Sequence, residues 1–258
     1  MKRTFGSMGS LFALAFGFCA MAQETISVRG DLWAPFNGDP SSDKPGYAIE
    51  IMKAVFEPNG IKIDYQTIPW TSAMKGLQEG KFEAAVGASK EDCPDAIFPE
   101  LEIADIRHGF FALPSSKWRF KGIDSLSQIK LGVIEGYTYG EDVDRYIASA
   151  KVSGKVEAIV GDGVLEKNIK KLHVGRIDAV IEAPQVFSWT VKTMGLPENT
   201  FVNVGSLEKS QKNYIAFSPA KESSKKYAKM FDDGIRELRR NGKLKTILAK
   251  YGLKDWRD

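Results

Sequence analysis

Two stretches of the chain repeat the same pattern of hydrophobic and polar positions. Residues 77–86 read LQEGKFEAAV and residues 172–181 read LHVGRIDAVI. In both, a leucine ends a helical pattern, glycine and a basic residue form a turn, and an acid interrupts an apolar strand. The repeat therefore predicts two similar units, each with a helix that leads into a buried strand.

Strand and helix patterns alternate around the two copies of the repeat. Further strands are predicted at residues 24–30, 61–68, 129–135 and 155–161. Apolar residues at helical spacing predict helices over residues 49–56, 140–150 and 165–172. This alternation predicts an α/β fold with parallel sheets, in which the carboxyl ends of the strands carry the functional site.

Two helices show side chains suited to capping. Asp162 precedes the helical pattern of the second repeat, and Thr138 with Glu141 forms the spacing of a capping box. The turn at Thr138 would also direct free backbone N–H groups toward the cleft, where they could hold an anion. The cap and a ligand contact are compatible, so both readings of Thr138 stay open.

The first 22 residues predict a cleaved signal peptide. Lys2 and Arg3 form a basic start, residues 11–20 form an apolar core, and small residues precede Gln23. The apolar core is shorter than the roughly 20 residues needed to span a bilayer. We therefore expect an exported, periplasmic protein that does not insert in the membrane after cleavage.

Charge and cysteine content exclude several classes of function. Removal of Lys2 and Arg3 takes the formal charge from +3 to +1, which gives no electrostatic footprint for nucleic acid or for a membrane surface. Cys19 suggests a lipid anchor, but Phe18 stands where a lipid-attachment box has a small residue. Cys93 then remains as the one thiol, so no internal disulfide, zinc site or cofactor is predicted.

Seven segments resemble the bacterial extracellular solute-binding proteins of family 3, the amino-acid-type receptors of ABC importers. In family order they are WAPF (33–36), GYAIEIMKAVF (46–56), Trp70 ahead of LQEGKFEAAV, LGVIEGYT (131–138), GRIDAVIE (175–182), YIAFSP (214–219) and IRELRRNGKLKTILAKYG (235–252). Each motif is weak alone, but together they cover nearly the whole mature chain.

The resemblance implies the type II fold of periplasmic binding proteins, with two α/β lobes joined by a two-strand hinge. Lobe 1 is expected to contain residues 23–110 and 211–258, and lobe 2 residues 111–210. A small polar ligand would bind between the lobes of a monomer and close them, and an ABC permease in the inner membrane would sense the closure. No bond needs to be broken, so the resemblance implies a binding protein and not an enzyme.

Nine residues are candidates for ligand contact because they occupy predicted strand ends or family motif positions. They are Trp33, Trp70, Gly87, Ala88, Ser89, Asp92, Tyr137, Thr138 and Glu182. Trp33 and Trp70 match positions where family members present an aromatic ring, which can stack on a planar or cationic group. Ordinary core packing is the alternative for both rings.

The small residues Gly87, Ala88 and Ser89 follow the first repeat. We expect them to form the floor of the cleft, where a ligand can approach the main chain and Ser89 offers a hydroxyl. A close packing turn between the lobes is the alternative. Glu182 ends the strand of the second repeat, where an acid without a partner is costly unless it is solvated or paired with a ligand donor.

The sequence departs from the family at the residues that hold an amino-acid head group. Family members carry an arginine for the ligand's α-carboxylate where this chain has Asp92, and the acid for the α-ammonium falls on Ala183, next to Glu182. The ligand is therefore expected to be amino-acid-like or cationic, without the usual zwitterionic contacts. Arg29 and Arg107 are candidates to replace the missing cation.

Two other functions use the same fold. A sensing protein would deliver its signal to a receptor, and an attached transmembrane helix or kinase region would indicate that role. A dehydratase-like enzyme would use Glu182 or Asp92 as a general acid. His108 and His173 are expected to be structural, because no nucleophile or metal spacing accompanies them.

Overall fold

The structure is a computed structural model that describes residues 23–257. The predicted signal peptide and Cys19 lie outside the described residues. The strands are β1 (Thr25–Gly30), β2 (Lys62–Thr67), β3 (Ala84–Ala88), β4 (Ala104–Ile106), β5 (Gly109–Ala112), β6 (Leu131–Ile134), β7 (Val156–Ile159), β8 (Ala179–Glu182), β9 (Val202–Ser206) and β10 (Gln211–Phe217). The α-helices are α1 (Tyr47–Phe56), α2 (Trp70–Gln78), α3 (Glu141–Ala150), α4 (Val164–His173), α5 (Pro184–Thr193), α6 (Ser224–Arg240) and α7 (Lys243–Ala249).

The strands form two five-stranded sheets of the same design. The first has the order β2-β1-β3-β10-β4 and the second the order β7-β6-β8-β5-β9. In each sheet the first three strands are parallel, and the fourth strand pairs antiparallel with both of its neighbours. The strands of the sequence repeat, β3 and β8, are the central strands, which confirms the predicted pair of similar α/β units.

The acids of the repeat fasten each central strand to its neighbour. Glu83 accepts a hydrogen bond from the backbone N–H of Ser27 at 3.0 Å, at the start of the first sheet. Asp178 accepts one from the backbone N–H of Lys130 at 2.7 Å, at the same place in the second. Both acids therefore stabilise the sheets.

The chain crosses between the sheets twice. It leaves the first sheet after β4 and enters the second at Gly109, and it returns between β9 and β10. Gly109 and Phe110 pair in the second sheet, although the predicted boundary places them in lobe 1. The division into 23–110 with 211–258 and 111–210 otherwise stays a prediction.

The predicted side-chain caps are wrong. Helix α3 follows Gly140 and helix α4 follows Gly163, both with positive φ, and no side chain caps either helix. Glycine adopts such φ values without the steric cost that a Cβ brings, so it ends each loop immediately before the helix. The hydroxyl of Thr138 instead donates to Asp92, and the Asp162 side chain does not cap α4.

Helices cover the outer faces of the sheets and bury their apolar stripes. In α1 the predicted face of Ile49, Met52 and Phe56 is fully buried, and α1 packs against α6 and α7. Burial of each such side chain contributes about 1.5–3 kcal/mol. This packing fixes the strand ends that face the cleft.

Candidate functional site

A pocket lies where the carboxyl ends of β1, β3 and β8 meet the return strand β10. It is lined by Asp31, Trp33, Trp70, Val86, Gly87, Asp92, His108, Tyr137, Thr138, Gln211 and Asn213. Its free volume of about 20 Å³ holds about one water molecule. A ligand must therefore open the pocket or displace side chains that now fill it.

Trp33 occupies the junction of the two sheets. Its indole nitrogen donates to Glu182 Oε1 at 3.1 Å, and its ring stacks on Phe36 with centroids 4.2 Å apart. A Cβ on Gly87 would lie 3.2 Å from the Trp33 ring. Gly87 in β3 and Glu182 in β8 are equivalent positions of the sequence repeat. The two central strands therefore both contact Trp33 at their carboxyl ends.

Trp70 and Tyr137 come from opposite sheets and meet in the pocket. Trp70 begins α2 and contacts Tyr137 edge to face, with centroids 5.8 Å apart. The Tyr137 hydroxyl donates to Asp31 Oδ2 at 2.6 Å. The Trp70 indole nitrogen is buried and has no hydrogen-bond partner. The aromatic walls of the pocket therefore come from both lobes.

A hydrogen-bonded group around Asp92 also joins the lobes. Asp92 accepts from the backbone N–H and the hydroxyl of Ser89, each at 2.8 Å. The Thr138 hydroxyl donates to Asp92 Oδ1 at 3.0 Å, and Gln211 Nε2 donates to Thr138 at 3.0 Å. Asp92 thus connects the end of β3 to Thr138 of the second lobe by a direct hydrogen bond.

Six of the nine predicted residues line the pocket, and Ala88, Ser89 and Glu182 lie beside it. Ala88 is fully buried in an apolar cluster with Ala85 and Cys93 and does not line the pocket. The Ser89 hydroxyl faces Asp92 and Thr138. Glu182 contacts the pocket through Trp33. Ligand contact by each of the nine stays a prediction.

Four polar pocket residues were not among the predicted site residues. They are Asp31, His108, Gln211 and Asn213. Asp31 directly follows β1, where a carboxylate at a strand end was the available signal. Gln211 and Asn213 are two residues apart on β10 and both face the pocket. The side-chain amide of Asn213 donates to Gly87 O at 2.8 Å. His108 was expected to be structural, and its ring does pack edge to face on Tyr139 at 5.3 Å while it lines the pocket.

The three acids at the pocket hold protons more strongly than ordinary carboxyl groups. Burial raises the pKa of Asp31 to about 6, against the opposing hydrogen bond from Tyr137. Burial likewise raises the pKa of Asp92 to about 6 and that of Glu182 to about 7. Burial lowers the pKa of His108 to about 4, so its imidazole is neutral at pH 7.

The arginines expected to replace the missing cation do not reach the pocket. Arg29 donates to the backbone oxygen of Val28 at 2.8 Å and pairs with Asp64 at 3.0 Å. Arg107 is exposed, and neither arginine lines the pocket. Within residues 23–257, the lining contains no lysine or arginine.

The described part of the chain has neither a metal site nor a membrane span. No group of three or more His, Cys, Asp or Glu side chains in residues 23–257 could hold a metal ion. Over the same residues, no helix has the length and hydrophobicity to cross a bilayer. Cys93 is a buried free thiol.

Two proteins of related sequence are named for amino-acid binding. The chain is 23% identical over 230 residues to a probable histidine-binding protein of Neisseria gonorrhoeae, which covers 86% of this chain and 81% of the relative. It is 22% identical over 231 residues to the probable amino-acid-binding protein YxeM of Bacillus subtilis, with 84% and 79% covered. No protein-family model matches the chain.

Solved structures with the same fold cover nearly all of the chain. An ancestral arginine-binding protein bound to glutamine has a TM-score of 0.71 and 19% identity, with 90% of this chain and 99% of that chain covered. A histidine kinase sensor domain with similarity to periplasmic binding proteins has a TM-score of 0.72 and 19% identity, with 89% and 96% covered. These matches confirm the predicted two-lobe α/β fold.

Proposed function

We propose that this chain, a relative of the amino-acid-binding proteins of extracellular solute-binding family 3, captures a small polar ligand between its lobes and delivers it to an ABC importer. The observation that carries the proposal is the convergence of polar and aromatic side chains from both lobes on one pocket. Three hydrogen-bonded pairs cross it: Trp33 with Glu182, Tyr137 with Asp31, and Thr138 with Asp92.

These pairs supply a mechanism for ligand-driven closure. A ligand that contacts both lobes favours the closed state, because its contacts are complete only when the strand ends meet. The hinge segments before β5 and before β10 are the two chain crossings that can absorb the movement. A permease that binds only the closed form then receives the loaded protein.

The predicted signal peptide supports a periplasmic location. The relatives' names favour binding over catalysis. The proposed receptor therefore changes its conformation when the ligand binds and leaves the ligand chemically unchanged.

Sensing is the second candidate function. The similarity to a histidine kinase sensor domain favours it, at a TM-score equal to those of importer proteins. Deletion of the gene for this protein distinguishes the two roles. Import predicts loss of ligand uptake, and sensing predicts unchanged uptake with loss of a transcriptional response.

Ligand-induced stabilisation and closure test the proposal. The mature protein is screened by thermal unfolding against amino acids, amines, sugars, organic anions and a periplasmic extract. A ligand present at about 100 times its Kd adds about 2.7 kcal/mol of stability, which raises the Tm of a protein of this size by about 5–10 °C. X-ray scattering should show a smaller radius of gyration with that ligand.

Paired tryptophan variants make the screen specific for the pocket. Trp70→Leu removes a pocket wall, whereas Trp118→Leu removes a ring in the second lobe that donates to Ser125 O at 2.9 Å, outside the pocket. We expect Trp70→Leu alone to weaken ligand binding by at least about tenfold, or about 1.4 kcal/mol. Failure of every class and of the extract to stabilise the wild-type protein would contradict the proposed function.

A further inference from the structure

Two acids that line the pocket, Asp31 and Asp92, and Glu182 beside it have no cationic partner among residues 23–257. Asp31, Asp92 and Glu182 accept hydrogen bonds only from neutral groups, which are a tyrosine hydroxyl, an indole N–H, Ser and Thr hydroxyls and backbone N–H groups. The pocket lining within residues 23–257 contains no lysine or arginine. Burial of carboxylates without countercharge is costly, so the ligand is the available source of positive charge.

A buried acid elsewhere in the same protein shows the usual alternative. Glu102 is 2% exposed and accepts from Arg257 Nε at 2.6 Å and Nη2 at 2.7 Å. Lys212 adds a second cation at 3.6 Å, and against the effect of burial the pKa of Glu102 falls to about 2. The protein therefore pairs the structural acid Glu102 with basic side chains of its own, but it provides no such basic side chain for the acids at the pocket.

Unpartnered acceptors at the pocket point independently to a ligand with N–H groups. Glu182, beside the pocket, is fully buried, and its Oε2 has no hydrogen-bond partner among residues 23–257. Asn213 is 6% exposed and lines the pocket, and its Oδ1 also has no partner. Because its amide nitrogen donates to Gly87 O, the oxygen is the atom left to face an incoming donor. The unpartnered Trp70 indole N–H would be satisfied by a hydroxyl or other acceptor on the same ligand.

The aromatic rings suit the same class of ligand. Trp33, Trp70 and Tyr137 line the pocket beside the acids. The face of an aromatic ring attracts ammonium and guanidinium groups, by about 2 kcal/mol or more where the cation is desolvated. Rings and carboxylates together form a cage for positive charge, whereas an arginine is needed for bidentate recognition of a ligand carboxylate.

A second cavity beside the pocket is also acidic. It shares Asp31 with the pocket, has a free volume of about 120 Å³ and is also lined by Asp39, Asp162 and Glu166. Among the described residues, no lysine or arginine lines it. A cavity with such an acidic lining attracts cations and repels anions.

We infer that the ligand is an organic cation, an ammonium or guanidinium compound that carries no carboxylate of its own. Its positive group lies among Asp31, Asp92 and Glu182 and is covered by the aromatic rings. This inference rests on the proposed function, because it assigns the ligand class of the same pocket. A zwitterionic amino acid fits poorly, since its carboxylate would meet Asp31 and Asp92 and no lysine or arginine of the lining described in residues 23–257.

Protonation of the pocket supports the assignment. The acids titrate near pH 6 to 7, while the other titratable groups that face them, Tyr137, Tyr139 and His108, are neutral there. A bound cation favours the ionised carboxylates, so binding near pH 6 releases protons. Calorimetry near pH 6 in buffers of different ionisation enthalpy measures this release.

Matched pairs of compounds test the missing carboxylate. Titration calorimetry compares histamine with L-histidine, agmatine with L-arginine, and cadaverine with L-lysine. In each pair the first compound is the second without its carboxylate. We expect at least one amine to bind at least about tenfold more tightly than its parent amino acid. Tighter binding of the parent in every pair that binds would overturn the inference while leaving a ligand-binding receptor in place.

Isosteric variants test the role of the acids with the amine that binds. Asp31→Asn keeps an oxygen that can accept from Tyr137 but removes the charge, and Glu182→Gln does the same at the other acid. Asp105→Asn changes an exposed acid on β4 and is the control. We expect a loss of at least about tenfold in amine affinity for the pocket variants, with circular dichroism unchanged, and none for the control.

The two proposals fail in different ways. Equal amine affinity in all the variants would overturn the ligand class. Failure of all six compounds to bind would also overturn it, and thermal screening of the other classes and of extract would then decide the proposed function separately.

Discussion

At the scale of single residues, Trp33 connects the sequence repeat to the site. The equivalent positions Gly87 and Glu182 end the two central strands, one without a side chain and one with an acid. The missing side chain lets the Trp33 ring lie against the first strand, and the acid receives its N–H from the second. The difference between Gly87 and Glu182 at this position of the repeat thus gives Trp33 a contact with each lobe.

Replacement of Gly87 by alanine tests this contact. Gly87 has φ +92, and its Cβ would meet the Trp33 ring, whereas Gly122 has φ +95 and open space around a Cβ. Both Gly87→Ala and Gly122→Ala should lose about 1–2 kcal/mol from the left-handed backbone. Gly87→Ala alone should also weaken ligand binding by at least about tenfold, or about 1.4 kcal/mol. Equal affinities in calorimetry would show that the ring position is unimportant.

The pocket acids predict how stability depends on pH. A carboxyl group whose pKa is raised binds more protons folded than unfolded, so the free energy of unfolding falls as pH rises from about 4 through 7. Asp31, Asp92 and Glu182 act in this direction. His108 acts in the opposite direction between about pH 4 and 6.5, because its pKa is lowered. The carboxyls outnumber the imidazole, so the ligand-free protein should be more stable at pH 5 than at pH 8.

Glu182→Gln measures one part of this effect. The variant should flatten the pH profile and gain about 1–3 kcal/mol relative to wild type at pH 8. Urea unfolding at pH 5 and pH 8 gives both values. An unchanged slope would mean that Glu182 is ionised without cost in the folded protein.

Some residues of the pocket were predictable from the sequence and others were not. Trp33, Trp70, Tyr137 and Thr138 were found as pocket residues because they lie in local motifs with a clear chemical character. Asp31 and Asn213 were missed because their role depends on which strand ends the topology brings together. Ligand contact by Ala88 stays a prediction, and its side chain is buried beside the pocket.

At the scale of elements, hydrophobic periodicity predicted the strands and helices well. The predicted strand at 61–68 is β2, and the predicted helical face at 49–56 is in α1. The predicted starts of α3 and α4 agree with the structure, but their predicted side-chain caps are wrong, because glycines with positive φ end the loops before both helices. Thr138 is the clearest case, since its hydroxyl contacts the other lobe.

The C-terminal segment after α7 anchors lobe 1 through an ion pair between a buried acid and a partly exposed arginine. Arg257 contacts Glu102 with two donors, whereas Arg236 contacts Glu100 at 2.6 Å on the exposed surface. Arg257→Ala should cost about 2 kcal/mol, less than a fully buried pair because the arginine is partly exposed. Arg236→Ala should cost about 0.5 kcal/mol or less.

Urea unfolding at pH 7 compares the two arginine variants. The contribution of Glu102 is present above its unfolded pKa and is lost as pH falls toward about 2, since its folded pKa is lowered. The difference between the variants should therefore disappear in strong acid. Equal stability of the variants at pH 7 would contradict the anchoring role.

At the scale of the whole molecule, two similar lobes meet at an acidic pocket. The fold and the resemblance to solute-binding proteins were predictable, because the repeat and the ordered motifs span the chain. The charge balance of the pocket was only partly predictable. Asp92 was visible in the sequence, but the exclusion of Arg29 and Arg107 from the pocket required the positions of their side chains.

Native mass spectrometry of the purified mature protein tests the account most directly. The protein is purified without dialysis, and the small molecule that it retains is released, weighed and fragmented. The account predicts an organic cation without a carboxylate, which Asp31→Asn retains less well than wild type. A zwitterionic amino acid or an anion bound in the pocket would contradict it.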